Sequence, residues 1–174
     1  MKKQHEILLD LLDSSGRALY GLLFRVTLRE HIAEELMQEL FIKLNDNKKL
    51  AKIENPAAYA RKTAINLAFD WRRKNREGAN IESVGEPQAV GMSPLDKLIG
   101  DEELNCVLDS IEKLPAEFRQ VLVMRSIEQA SYDQIAAETG KSVHHVRSIL
   151  HRARTKLKEL VKSHMVENSG KEAL

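Results

Sequence analysis

Between Ser131 and Val161 the chain reads SYDQIAAETGKSVHHVRSILHRARTKLKELV, and this stretch leaves few folds open. Ser131 can cap a short helix carrying Tyr132, Ile135 and Ala136, Thr139-Gly140-Lys141 supplies a tight corner, and Ser142 can cap a second helix from Val143. In that second helix Val143, Val146, Leu150, Ala153, Leu157 and Leu160 recur at helical spacing and form a core stripe. A capped helix, a glycine corner and a longer cationic helix make a helix-turn-helix. Its second helix can turn early polar residues toward base edges and cations toward phosphates. His144, His145, Arg147, Ser148, His151, Arg152 and Arg154 remain to divide between that face and solvent, while Lys156, Lys158 and Lys162 read as solvated surface beyond the duplex.

A second cationic segment lies upstream, and the formal net charge of +1 hides both. Residues 58–76 carry six Lys/Arg against one acid, and residues 139–162 carry seven against one. Residues 77–105 reverse the balance, with seven acids against one Lys. Two basic patches separated by an acidic connection suit a protein that touches nucleic acid at two places. Segment 77–97, EGANIESVGEPQAVGMSPLDK, has three glycines, two prolines and little periodicity, so it reads as an acidic, flexible linker. Its acids can keep it soluble or keep it off the protein's own basic patches.

The rest reads as helices. Ile7, Leu8, Leu11, Leu12, Leu19, Leu22, Leu23 and Val26 recur at helical spacing, with Ser14-Ser15-Gly16 leaving one bent helix or two shorter ones equally admissible. Ile32, Leu36, Leu40 and Leu44 lie four apart in a strongly amphipathic helix ending near Asn45 to Asn47. Asn55 caps a third helix with Pro56 at its first position, and its basic end suits a helix C-terminus as well as phosphate. Helical patterning resumes at Leu98 to Ile111 and again after Leu114-Pro115. With 43% hydrophobic but only 5% aromatic residues among 174, the expected fold is all-α: two small helical domains with aliphatic cores.

Several chemistries are excluded. Cys106 is the only cysteine, so neither an intrachain disulfide nor a cysteine-cluster metal site can form. His144, His145, His151 and His164 do not make a zinc set, and no motif supplies a catalytic cluster or a phosphate-cradling glycine loop. No catalytic residue, metal or cofactor is therefore expected. The N-terminus is interrupted by charge too early for a secretory signal, and no apolar run approaches a membrane span, so the expected location is the cytoplasm.

The C-terminal half resembles region 4 of the bacterial sigma-70 family, specifically its short extracytoplasmic-function (ECF) group. The matching residues are Leu114-Pro115, Arg119 to Arg125, Ser131-Tyr132-Asp133-Gln134-Ile135-Ala136, Gly140-Lys141-Ser142 and Val146 to Arg154. The resemblance implies binding to a promoter's minus-35 element through Lys141, Ser142, His144, His145, Arg147, Ser148, His151, Arg152 and Arg154, and to the flap of RNA polymerase. Ile149 departs from the basic residue frequent at its motif position, which points to packing there.

The N-terminal half resembles region 2 of the same family. Glu34-Glu35-Leu36-Met37-Gln38-Glu39-Leu40-Phe41 is similar to the family's polar helix that meets the clamp helices of the polymerase's largest subunit, which implies core contacts at Glu34, Glu35, Met37, Gln38 and Glu39. Tyr59 to Arg73 looks like the family's promoter-melting segment. It implies minus-10 contacts at Arg61, Lys62, Asn66, Arg72, Arg73, Lys74 and Arg76, with Asn66 reading an unstacked base while the cations hold the backbone. Taken alone, the apolar residues here read as core and the cations equally well as a solvated face.

The expected organisation is a region 2-like domain over 1–76, the linker 77–97, a region 4-like helix-turn-helix domain over 98–162 and a polar tail over 163–174. The resemblance implies a sigma factor that directs promoter-specific initiation, with core RNA polymerase, promoter DNA and an anti-sigma factor as partners. The alternative is a stand-alone helix-turn-helix regulator with dimerising N-terminal helices, against which the polar Glu34 to Phe41 helix speaks.

Overall fold

A computed structural model describes the backbone of residues 2–78 and 94–171 and the side chains of residues 4–76 and 102–166. The described residues form helices, with no strand among them. Most of the expected linker, residues 79–93, lies outside that range.

The first helix, α1 (Lys2–Thr27), runs through Ser14-Ser15-Gly16 without a break. The Ser14 hydroxyl donates to the Asp10 carbonyl one turn back at 2.5 Å. Gly16 lies against α2: a Cβ built there would stand 3.8 Å from Met37 Cε and 3.3 Å from Leu12 Cδ1. The glycine thus faces α2 at ordinary contact distance and does not stop the helix. Leu28, at φ 59°, turns the chain in a left-handed conformation, its N–H bonded to the Phe24 carbonyl at 2.7 Å.

The second helix, α2 (Glu30–Asp46), buries Ala33, Leu36, Leu40 and Leu44. A short 3-10 turn, Leu50–Lys52, follows and packs on α1 with Leu50 buried. The third helix, α3 (Pro56–Gly78), starts where Asn55 Oδ1 accepts a bond from the Ala58 N–H at 3.0 Å. Its Ala60, Ala64, Ile65, Leu67, Ala68 and Phe69 are buried. α1 packs on both α2 and α3, and the Gln4 side-chain amide ties its start to the Asn45 carbonyl at the end of α2. Amphipathic stripes at period 3.6 have one way to bury themselves together, and three helices around the Leu22, Leu40, Leu44 and Phe69 side chains accomplish it.

The C-terminal half is built on a long last helix. α4 (Pro94–Glu112), α5 (Ala116–Ser126), α6 (Tyr132–Thr139) and α7 (Val143–Lys171) follow in order, and α7 packs against each of the other three. α4 begins inside the segment read as linker, and α7 continues through most of the segment read as tail, bringing His164 Nδ1 within 3.4 Å of Cys106 Sγ on α4. Burial and the nearby Asp109 raise the Cys106 thiol above its ordinary value. The two halves touch where α3 meets α4 and α5, and their buried side chains form one connected cluster.

Candidate nucleic-acid interfaces

The helix-turn-helix has the predicted corners. Ser131 Oγ accepts from the Gln134 N–H at 3.1 Å and the Gln134 side chain accepts from the Ser131 N–H at 2.8 Å, a reciprocal capping box that starts α6. Gly140 closes α6 at φ 65°, where a side chain would strain the backbone. Ser142 Oγ accepts from the His145 N–H at 3.2 Å and starts α7. Val146, Ile149, Leu150 and Ala153 are buried, so Ile149 packs.

That packing leaves His144, His145, Arg147, Ser148, His151, Arg152 and Arg154 exposed. His144, Arg147, His151 and Arg154 fall three or four residues apart and share a face. Arg147 is stacked: its guanidinium lies 5.1 Å from the centre of the Tyr132 ring, and Arg125 lies 4.9 Å from the same ring. The Arg125 guanidinium is also anchored, donating at 2.9 Å to the Ala130 carbonyl. Tyr132 therefore fixes the height and direction of Arg147, an arrangement with no signal in the spacing of the residues. Arg152 similarly lies 5.6 Å from the Phe118 ring. Lys141 is drawn back to Glu117 at 2.7 Å, and this bond is the main reason the Glu117 carboxyl sits below its ordinary value. The resulting surface is cationic and polar, with helix and corner geometry suited to a groove.

The second candidate surface is α3. Asn66 is exposed, and no side-chain hydrogen bond to the described residues holds it. Lys62 and Lys74 are exposed as well. Arg73 is half-exposed and paired with Asp70 at 2.9 Å. Arg72 is different: only 7% exposed, it donates to the Val26 carbonyl at 3.1 Å, to Asp109 Oδ1 at 2.7 Å and to Asn105 Oδ1 at 2.9 Å. Arg61 is also engaged, donating from Nε to Glu128 Oε1 at 3.0 Å and from Nη1 to Glu138. Arg76 meets Glu112 Oε2 at 3.1 Å. The acids that face α3 thus come from residues 109–138, and not one of them had been singled out from the sequence. The pairs span 36 to 77 residues, a separation at which charge order along a chain carries no signal.

On the polar side of α2, Glu34, Glu35, Gln38 and Glu39 are exposed, whereas Met37 is half-buried toward α1. Apart from the Glu39 to Lys43 pair at 3.0 Å, this edge is unengaged by salt bridges among the described residues.

Comparison with known proteins bears on both halves. The family model described as Sigma-70 region 2 matches residues 11–77, and the one described as Sigma-70, region 4 matches residues 104–157. The chain is 28% identical over 164 residues to the ECF RNA polymerase sigma factor SigE of Mycolicibacterium smegmatis, covering 92% of this chain and 63% of that protein. It is 27% identical over 169 residues to the ECF RNA polymerase sigma factor SigW of Bacillus subtilis, covering 91% of this chain and 90% of that protein. It therefore spans less than two thirds of the SigE relative and most of SigW. Among solved structures, that of CnrH in complex with the cytosolic domain of CnrY is similar in fold, with a TM-score of 0.50 and 22% identity over 90% of this chain and 88% of that one.

Proposed function

Because the chain belongs to the sigma-70 family, in its ECF group, we propose that it directs RNA polymerase to a set of promoters and helps open them. The observation that carries this reading is the presence on one chain of both matched regions, over residues 11–77 and 104–157. A stand-alone helix-turn-helix regulator needs the second alone.

In this reading three surfaces divide the work. The exposed edge Glu34, Glu35, Gln38 and Glu39 meets the clamp helices of the largest polymerase subunit, with Met37 packed behind it. α7 enters the major groove of the minus-35 element, Arg147 held by Tyr132, while Lys141, Ser142, His144, His145, Ser148, His151, Arg152 and Arg154 contribute base or phosphate contacts. On α3, Asn66 reads a base released from the stack, and Arg61, Lys62, Arg72, Arg73, Lys74 and Arg76 hold the strand's phosphates. The proposed domain limits, 1–76 and 98–162 about the connection 77–97, widen for the second domain, because α4 already begins at Pro94 and α7 runs to Lys171. The chain makes and breaks no bonds of its own. Its partners are core polymerase, promoter DNA and an anti-sigma factor that covers the same faces.

No helix among the described residues is long and apolar enough to cross a membrane, and the proposed place of action is the cytoplasm.

The assignment of α2 is tested by core binding. Glu35→Ala/Gln38→Ala should keep its helicity and lose about tenfold or more in affinity for core polymerase, since one or two interface anchors at 1–2 kcal/mol account for that much. Unchanged affinity in a folded double variant removes this edge from the interface.

A further inference from the structure

The corner of the helix-turn-helix is gripped by the first turn of α5. Lys141 is fixed at its backbone and at its tip: its N–H donates to the Ala136 carbonyl at 3.1 Å, and its Nζ lies 2.7 Å from Glu117 Oε1. The Lys141 side chain keeps 24% of its surface exposed and that of Glu117 keeps 47%, so the carboxylate stands at the surface. One residue on, the Phe118 ring carries the Arg152 guanidinium at 5.6 Å. The bond from Lys141 and the fields of Lys141, His145 and Arg152 all lower the Glu117 carboxyl from its ordinary value. An acid therefore sits among the cations that face the minus-35 duplex.

An ammonium group has donors to spare. With one N–H on Glu117, Lys141 still has others for a base edge or a phosphate oxygen, but the pair as a whole carries no net charge. Attraction to any duplex comes from positive charge that releases counterions, and it is read as a salt slope of about 0.9 per phosphate neutralised. Base edges are read by donors and acceptors, whatever the net charge. A neutral pair thus withholds the attraction that all sequences share and keeps a donor in a fixed place for the sequence that fits it. The exposed carboxylate also repels a phosphate that approaches in the wrong register.

We propose that Glu117 is a specificity-determining residue of the minus-35 surface. It cancels the charge of Lys141, holds the ammonium group in one position, and lowers affinity for other duplexes more than for the cognate element. This deepens the sigma-factor reading and rests on it for the identity of the DNA.

The test titrates the full chain and Glu117→Gln with a duplex carrying the cognate minus-35 element and with the same duplex scrambled there, between about 0.05 and about 0.2 M salt. The variant frees one ammonium charge. Its salt slope on the scrambled duplex should steepen by about 0.9, and its affinity for that duplex should rise about tenfold at the low-salt end, as one added phosphate contact gives. Affinity for the cognate duplex should rise less, so preference falls. An unchanged slope with unchanged preference overturns the proposal. Equal weakening on both duplexes also overturns it, since that is the effect of a contact that only supports the fold.

Glu117→Gln/Lys141→Ala decides independently. A neutral pair is replaced by neutral residues, so the double variant should return to the wild-type slope. A slope shallower than wild type by about 0.9 would mean that Lys141 already neutralises a phosphate beside Glu117, which overturns the proposal. Initiation by the wild-type chain with saturating core polymerase is measured in parallel. No initiation and equal binding of both duplexes defeat the sigma-factor reading and the proposal with it, whereas initiation with an unchanged slope in Glu117→Gln defeats the role of Glu117 alone.

Discussion

Arg61 on α3 donates from Nε to Glu128 Oε1 at 3.0 Å, joining a promoter-strand candidate to the segment just before the helix-turn-helix. The two partners respond oppositely to their shared surroundings. Burial opposes the Arg61 charge, but the hydrogen bond to Glu138 and the fields of Glu128 and Glu138 raise it further above its ordinary value. For Glu128, burial outweighs Arg61 and raises the carboxyl, with Glu138 adding to the rise and Arg25 opposing it.

Glu128→Gln keeps an acceptor for Arg61 and removes the buried charge. A carboxyl raised by folding contributes stability below its unfolded value, near 4.5, and loses it as pH climbs through the folded value. The variant should match the wild type in acid and melt at a higher temperature than it at neutral pH. Thermal denaturation across this pH window checks the sign. A variant that melts lower at neutral pH makes Arg61 the dominant influence on Glu128.

Tyr132 holds Arg147 from one ring face, a contact at 5.1 Å. Tyr132→Leu should keep the fold and weaken minus-35 duplex binding about two- to fivefold, the equivalent of one exposed cation–π contact, while Tyr132→Phe stays near wild type. Arg147→Ala separates the two roles of that side chain. Loss of a base contact changes sequence preference, and loss of a phosphate contact weakens all sequences alike and flattens the salt dependence. Equal binding by the Leu and Phe variants rejects the positioning role.

Ile149 is fully buried where the related pattern frequently carries a basic residue. Ile149→Ala should cost about 2–5 kcal/mol, as buried large-to-small changes do. Ile149→Arg should prevent the C-terminal half from folding, because its charge has no partner in that core. Denaturant unfolding followed by helicity measures both. An Arg variant as stable as wild type would mean that α7 can rotate this position to the surface.

What the sequence made legible was local. Asn55, Ser131, Ser142 and Gly140 mark helix ends through bonds to residues within a few positions, and the leucine stripes state their period directly. Ser14-Ser15-Gly16 left two readings open because the continuous α1 packs along its length on α2 and α3, which lie far away in sequence. The candidate surfaces were legible as residue types, yet their engagement was not. Arg72 looks like its neighbours Arg73 and Lys74 in the sequence, but in the fold its guanidinium is buried against Val26 and Asp109. Helix phase assigned it to the same basic end, and its contacts with both α1 and α4 distinguish it.

Asn66 is exposed beside the α3 cations and is not held by a hydrogen bond among the described residues. Asn66→Ala should leave core affinity and closed-promoter binding near wild type and slow strand opening by about five- to tenfold or more, the loss of one base contact at 1–3 kcal/mol. Core binding, duplex binding and opening are measured separately. Normal opening on several cognate promoters rejects a base-reading role.

Whether one chain both binds polymerase and reads promoters is decided by reconstituted transcription. Purified protein is added to core polymerase lacking any other sigma factor, on linear DNA carrying cognate promoters, and transcript start sites are mapped. Discrete starts should appear that depend on the added protein and disappear when the minus-10 or minus-35 sequence is scrambled. Starts that appear only when a second sigma factor is supplied would contradict it and identify the chain as a stand-alone regulator.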